Sequence, residues 1–289
     1  MNRILVTGAE GFVGKHLTDK LKASGCYIVK GISRASGDIT SKALWHSFSN
    51  IDTVVHLAAS TFVPESWNDP VSFFETNLLG TISALEFCKR SGARLVYISS
   101  YLYGNPENLP VAESAKLVAS NPYALSKKMA EEACEFYAIS HNVRTIVLRP
   151  FNVYGLGQSE KFLIPSILKQ MESGDRVVVQ DLEPKRDYIF IEDLTDAIVL
   201  ALAKNIKFQF EIFNIGTGES YSVRELIQFI QEICGTQYDV NVVGARRAGE
   251  LMDTRAKITK AKEILCWTPK FNLRSGLELM LKGKCIACK

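Results

Sequence analysis

The chain contains no run of eighteen apolar residues, so no segment is suited to span a bilayer as a helix. It also lacks a block of like charge. Its 34 Lys and Arg against 31 Asp and Glu leave +3 over 289 residues. The clusters Lys127-Lys128 and Arg246-Arg247 are short and local, so no nucleic-acid surface is expected. Cysteine is sparse and irregularly spaced. Seven is an odd number, which favours reduced thiols in a cytoplasmic setting over a disulfide framework. Cys285-x-x-Cys288 has metal or redox spacing, but it lacks a second pair and a strand–helix context and reads as a frayed terminus. The first residues run straight into a strand, which argues against a secretory signal. The remaining length is ample for a large core.

The chain is organised around Val6-Thr7-Gly8-Ala9-Glu10-Gly11-Phe12-Val13-Gly14. Arg3 to Val6 reads as a buried strand, and Val13, Leu17 and Leu21 mark one apolar helix face that Gly25 can close. Between strand and helix, Gly8 permits a tight turn. Gly11 admits a phosphate to the backbone, and Gly14 lets the helix press on the strand. Unpaired N–H groups and the helix dipole at such a terminus suit a pyrophosphate.

Strands are expected at 26–32, 52–59, 94–100 and 143–148, with helices at 40–49, 70–91 and 121–140. This alternation predicts an α/β fold with a doubly wound parallel sheet of the Rossmann type. The second strand ends Ile32-Ser33-Arg34 with no acid. An acid there would accept from a ribose 2′-hydroxyl, whereas a small polar residue followed by arginine suits a 2′-phosphate, so NADP(H) is favoured over NAD(H). Gly37-Asp38-Ile39 follows so closely that the usual helix and third strand must be very short. After Arg149 the rhythm breaks. Helices are expected at 162–173, 193–203, 223–234 and 259–267, and strands at 177–179, 211–215 and 238–243. The division predicted is a dinucleotide-binding domain over 1–150 and a smaller C-terminal lobe over 151–289. Part of that lobe, about 185–215, should return to the first core.

Tyr123 and Lys127 stand four residues apart in the first turns of a helix and so share a face. An ammonium beside a phenol favours phenolate, and such a tyrosine can move a proton on or off a sugar hydroxyl.

Together, Thr7-Gly-Ala-x-Gly-Phe-Val-Gly14, His56-Leu-Ala-Ala59, Ser99-Ser-x-x-Tyr-Gly104, Tyr123-x-x-x-Lys127 and Leu148-Arg-Pro-Phe-Asn-Val-Tyr-Gly155 resemble the extended short-chain dehydrogenase/reductase family. More narrowly, they are similar to its nucleotide-sugar epimerases, dehydratases and ketoreductases. The likeness continues through Arg186-Asp-Tyr-Ile-x-Ile-Glu-Asp193, Asn214-Ile-Gly-Thr-Gly218 and Arg246-Arg-Ala-Gly-Glu250, nearly the whole chain. The resemblance implies that Tyr123 is the acid/base, that Lys127 holds the nicotinamide ribose and tunes Tyr123, and that Ser99 binds the reacting sugar oxygen. It implies cofactor contacts at Gly8, Gly11, Phe12, Val13, Gly14, Ser33, Arg34, Asp38, Ile39, Leu57, Ala58, Ala59 and Pro150, besides Tyr123 and Lys127. Substrate contacts are implied at Asn77, Asn152, Arg186, Arg247 and Glu250. The two arginines would clamp a diphosphate and Glu250 would meet the nucleoside ribose. No metal is implied.

Ser100 and Tyr101 occupy the places of the Asp-Glu pair that drives water loss in the family's 4,6-dehydratases, so that reaction is disfavoured. The expected activity is reduction at C4 of a nucleoside-diphosphate 4-keto-6-deoxy sugar, with a nucleotide-sugar 4-epimerase as alternative. A dinucleotide-binding protein without turnover is a third reading, opposed by the intact Ser-Tyr-Lys set. The family also implies a homodimer built on the helices near 70–91 and 121–140, burying Met129, Ala133 and Phe136.

Overall fold

The computed structural model describes residues 1–174, 176–204, 208–244 and 250–283. Ile4, Leu5 and Val6 leave β1 (Asn2–Thr7) no polar face, which places it inside a sheet covered on both sides. It pairs in parallel with β2 (Tyr27–Ile32) and β3 (Thr53–His56). Beyond β3 follow β4 (Arg94–Ile98), β5 (Thr145–Pro150) and β10 (Phe210–Ile215), all parallel. The order β2-β1-β3-β4-β5-β10 puts the change of winding direction between β1 and β3, where α/β sheets open a crevice at their carboxyl ends.

Side chains alternate between the sheet's two faces. Ile4, Val6, Val55 and Val96 pack with Leu17 and Leu21 of α1 (Phe12–Ala23) and with Leu194 and Ile198 of α8 (Ile191–Ala203). Leu5, Val54, Leu95 and Tyr97 pack with Leu85 of α5 (Gly80–Ser91) and Ala130 and Cys134 of α6 (Pro122–His141). A third core gathers α7 (Leu163–Ser173), β7 (Arg176–Val179), β9 (Tyr188–Phe190), α9 (Val223–Cys234) and α10 (Leu273–Gly283). Three small pairings lace this region: β6 (Asn152–Tyr154) with β9, β8 (Lys185–Arg186) with β11 (Tyr221–Ser222), and β7 with β12 (Asp239–Val242).

The very short third strand expected near Gly37 is absent among the described residues. A 3₁₀ turn over Arg34–Ser36 and the short α2 (Lys42–His46) lead directly to β3. A parallel crossover takes about ten residues or more, so residues 33–52 have room for one crossover and not for two. The helix expected over 70–91 forms without a break: α4 (Pro70–Phe74) runs through a π turn over Glu75–Leu79 into α5. α3 (Val63–Asn68) precedes them, and neither it nor α10 was expected from the sequence. The helix expected at 259–267 is largely a π turn over Ala261–Leu265.

Candidate active site

Two cavities open at the carboxyl end of the sheet. The larger, about 590 Å³, lies at the β1/β3 crevice and is lined by Gly8, Glu10, Gly11, Ser33, Arg34, Gly37, Asp38, Ile39 and Leu57 to Ala59. Its floor is held by one hydroxyl. Thr7 Oγ1 accepts from the backbone N–H of Leu57 and of Ala58, each at 3.1 Å. With both lone pairs taken, its own proton goes to His56 Nδ1, 2.8 Å away. Gly8 then turns at φ +67°, so close to β3 that a Cβ would lie 2.9 Å from the Ala58 nitrogen. A Cβ on Gly14 would lie 2.1 Å from the Gly8 carbonyl oxygen, so α1 starts almost against the turn. No side chain caps α1, which leaves its first N–H groups for a ligand. A cradle of backbone donors with no room for side chains fits a pyrophosphate, so the residues present suit a dinucleotide cofactor.

Of the cofactor residues implied by the sequence, Gly8, Gly11, Ser33, Arg34, Asp38, Ile39, Leu57, Ala58 and Ala59 line this one cavity. Gly14 is buried beneath it, and Phe12 and Val13 pack toward the C-terminal core. Pro150 ends β5, paired with Ile215. Asp38 accepts from the Thr40 N–H at 2.8 Å, which holds its carboxyl below the usual range.

The smaller cavity, about 180 Å³, is lined by Val63, Ser100, Tyr101, Tyr123, Asn152 and Arg186 among others. Asn121 caps α6 through a 2.8 Å bond from the Ala124 N–H, with Pro122 in the first turn; this fixes Tyr123 at the helix entrance. Burial pushes the Tyr123 phenol up, and the Ser100 hydroxyl bonded to it pulls the other way. Lys127 is buried; its Nζ donates to the Ile98 carbonyl at 2.6 Å and stands 4.3 Å from the Tyr97 ring centre. Burial draws that ammonium down to about 7, against the pull of Glu131. The phenol is therefore held protonated by desolvation, where the sequence alone pointed to a phenolate favoured by the ammonium.

Ser99 does not line this cavity. It is 5 % exposed, and its Oγ has no hydrogen-bond partner among the described residues. Ser100, one position on, lines the cavity together with Tyr123. Asn77 departs from its implied substrate contact. It is 1 % exposed, its Oδ1 accepts from the Ser60 N–H at 2.8 Å, and its Nδ2 donates to the Ser60 carbonyl at 3.0 Å and Ser126 Oγ at 2.9 Å. Three hydrogen bonds thus tie the loop after β3 to α6 through its amide. Asn152 is exposed on β6 and free to bond a ligand. Arg186 donates to the Leu251 carbonyl at 2.5 Å and forms an ion pair with Glu250, so two implied substrate residues hold each other. Arg247 lies outside the described residues, as do Cys285 and Cys288.

With this geometry in place, comparison with known proteins gives the class. The sequence model of the NAD dependent epimerase/dehydratase family matches residues 4–216. The chain belongs to that family, within the extended short-chain dehydrogenases/reductases. It is 31% identical to a GDP-6-deoxy-D-mannose reductase of Pseudomonas aeruginosa, over 96% of each chain. It is 32% identical to a UDP-glucose 4-epimerase of Lactobacillus helveticus, over 93% of this chain and 92% of that one. Among solved structures, RMD from Pseudomonas aeruginosa complexed with NADPH superposes with a TM-score of 0.88 at 30% identity, covering 98% of both chains. A UDP-glucuronic acid 4-epimerase from Bacillus cereus, in complex with UDP-glucuronic acid and NAD, superposes at 0.90 with 28% identity, over 97% of this chain and 98% of that one.

His56 carries a measurable signature of the cavity floor. It is 1 % exposed, and burial draws its imidazole down to about 3 from 6.5, aided by the Lys127 charge. The unfolded chain therefore binds this proton before the folded one does. The contribution is complete above 6.5 and is lost as pH falls from there toward about 3. Urea unfolding across that interval should show a decline that is shallower in His56→Gln, which has no imidazole to protonate.

Proposed function

We propose that the chain is an NAD(P)-dependent nucleotide-sugar oxidoreductase that reduces C4 of a nucleoside-diphosphate 4-keto-6-deoxy sugar. The observation that carries this reading is the meeting of a protonated Tyr123 with the Ser100 hydroxyl in a cavity walled by Asn152 and Arg186, beside a second cavity shaped for a dinucleotide. When bound, a nicotinamide cofactor would supply the hydride. Ser100 and Tyr123 would both donate to the C4 ketone oxygen, aligning it. As the carbonyl carbon gains hydride, Tyr123 gives its proton to that oxygen, leaving an alcohol and a phenolate. The Lys127 ammonium stabilises the phenolate. Asn152 would hold a sugar hydroxyl, and the Arg186 guanidinium, released from Glu250, would meet the diphosphate. The reductase relative supports the same reaction.

Arg34 supports the phosphorylated cofactor. It is exposed on the rim of the dinucleotide cavity, next to Ser33, and β2 ends without an acid. The 4-epimerase reading uses the same residues and is favoured by the epimerase relatives and by an NAD-bound neighbour. The lobe built on residues 151–289 is proposed to carry the substrate. A homodimer is proposed through α5 and α6. Of the residues expected there, Phe136 is 57 % exposed and Met129 37 %, while Ala133 packs into the core of its own chain; Ile139 at 70 % extends the apolar face.

Added nucleotide 4-keto-6-deoxy sugar should oxidise NADPH stoichiometrically, while UDP-glucose or UDP-N-acetylglucosamine alone should not interconvert with its C4 epimer. Epimer formed without added cofactor would establish the alternative. In the same assay Tyr123→Phe should lose at least ~100-fold, and Ser100→Ala should lose more than Ser99→Ala. Arg34→Ala should raise KM for NADPH far more than for NADH; equal effects would remove the 2′-phosphate argument. Light scattering should give twice the chain mass, and Phe136→Glu should shift the population toward monomer.

A further inference from the structure

Tyr123, Lys127 and Glu131 recur every four residues along one face of α6. Glu131 is 3 % exposed, an unusual place for a carboxylate. Arg149 of β5, equally buried, donates to it from Nε at 3.0 Å and 3.1 Å and from Nη2 at 2.5 Å. Arg149 Nη1 donates to the Tyr103 hydroxyl at 2.7 Å and the Glu113 carbonyl at 3.1 Å. The Tyr103 hydroxyl donates onward to Asn214 Oδ1 at 2.6 Å. This buried row therefore runs cation, anion, cation in the order Lys127, Glu131, Arg149.

A buried arginine–carboxylate pair adds little stability by itself, because desolvation offsets its attraction. Its position one turn from Lys127 gives it another use. A buried ammonium sheds its proton unless an anion stands near, whereas a guanidinium keeps its charge. The titratable groups that face Lys127 are Glu131 and Cys134 on α6, Tyr97 from β4 and His56 from β3, with Tyr123 one turn before it on α6 and Cys88 from α5 behind Cys134. Burial keeps both thiols and the Tyr97 phenol neutral and keeps His56 uncharged. Arg149 bonds Glu131, and Glu131 acts on Lys127 through its charge. Among the described residues around Lys127, Glu131 is the one carboxylate.

We propose that the Glu131–Arg149 pair is a positioning device for the reaction: Glu131 keeps the Lys127 ammonium charged one turn from Tyr123, and Arg149 holds the Glu131 carboxylate in place. The proposal rests on the oxidoreductase reading for its consequence, since a charged Lys127 matters to proton transfer by Tyr123. Its physical content is a property of the chain alone.

The test is a titration of Lys127 by NMR of protein carrying ¹³C-labelled lysine, the resonance missing from Lys127→Met providing the assignment. Glu131→Gln should lower the Lys127 midpoint by about one pH unit or more, the size expected for loss of a near opposite charge. The alkaline limb of kcat/KM should move down by the same amount. Arg149→Met keeps the carboxylate, so its midpoint should stay or rise. A merely structural pair would reduce activity alike in both variants and leave the Lys127 midpoint unmoved; an unmoved midpoint in Glu131→Gln overturns the proposal. If Glu131→Gln does not fold, Glu131→Gln/Arg149→Met, which leaves no unpaired charge in the core, is titrated instead and should also show a lowered midpoint. A shifted midpoint in a protein that turns over no keto-sugar keeps the charge device and discards the oxidoreductase reading. Turnover with an unmoved midpoint does the reverse.

Discussion

The Thr7 hydroxyl is the contact on which the dinucleotide cavity depends. It spans β1 and β3 at the point where the winding of the sheet reverses, and it engages the Leu57 and Ala58 N–H groups and His56 Nδ1 together. Those bonds bring the turn after β1 and the segment after β3 into backbone contact, where only glycine fits at position 8. The crevice is therefore narrow in its side chains but rich in backbone donors. A pyrophosphate needs that combination, because its charge is met by N–H groups that require no reorganisation on binding. His56 completes the contact only as a neutral ring: burial disfavours its charged form, and the Thr7 proton at Nδ1 selects the tautomer.

Buried carboxylates play the corresponding role for the C-terminal region. Asp187 is wholly buried and accepts from the N–H groups of Thr217, Gly218 and Ala256 at 2.7 Å, 3.0 Å and 3.0 Å. Asp193 accepts from the Lys270 and Phe271 N–H groups at 2.8 Å and 3.1 Å. Each ties together segments far apart in sequence, and each follows one of the short strands β8 and β9. The short strands offer few ladder bonds, so buried carboxylates supply the missing cross-links. Arg186, Leu251 and Thr254 are thereby held against Tyr101 and Phe151 across the smaller cavity. Burial pushes both carboxyls up, and the converging backbone N–H groups pull the other way.

How far the site could be read from sequence follows from how local each determinant is. The glycine turn, the main parallel strands and the Tyr123–Lys127 face depend on neighbours within a few residues, and their patterns were legible. The surroundings of Ser99 and Ser100 were not, because which of two adjacent serines is buried and which lines the cavity depends on the register of the segment leaving β4. Asn77 carries the motif position of a ligand contact, yet the π turn around it and the Ser60 and Ser126 partners come from distant chain segments. β6, β8 and β11 span two or three residues each, too few for an alternation to show. The pairing of Arg186 with Glu250 joins residues 64 apart and leaves no trace in local pattern.

Reductases and epimerases in this family share the proton-transfer face, so the division between them lies elsewhere in the molecule. An epimerase must keep its reduced cofactor while the keto-sugar turns over in the site, which demands strong retention at the adenosine end. A reductase must let the oxidised cofactor leave in each cycle. In this chain the adenosine end is formed by a short segment. The 3₁₀ turn, α2 and one crossover replace a longer helix–strand–helix excursion, and β2 is left as the edge of the sheet. Arg34 and Gly37 to Ile39 form an open rim there instead of a wall, and Glu10 and Arg34 place opposite charges on the same cavity. A short, exposed rim holds a cofactor through fewer enclosed contacts than a deep pocket, because contacts open to water are screened and compete with hydration. At the rim formed by Arg34 and Gly37 to Ile39, a ligand's contacts are therefore met partly by water and only partly by protein.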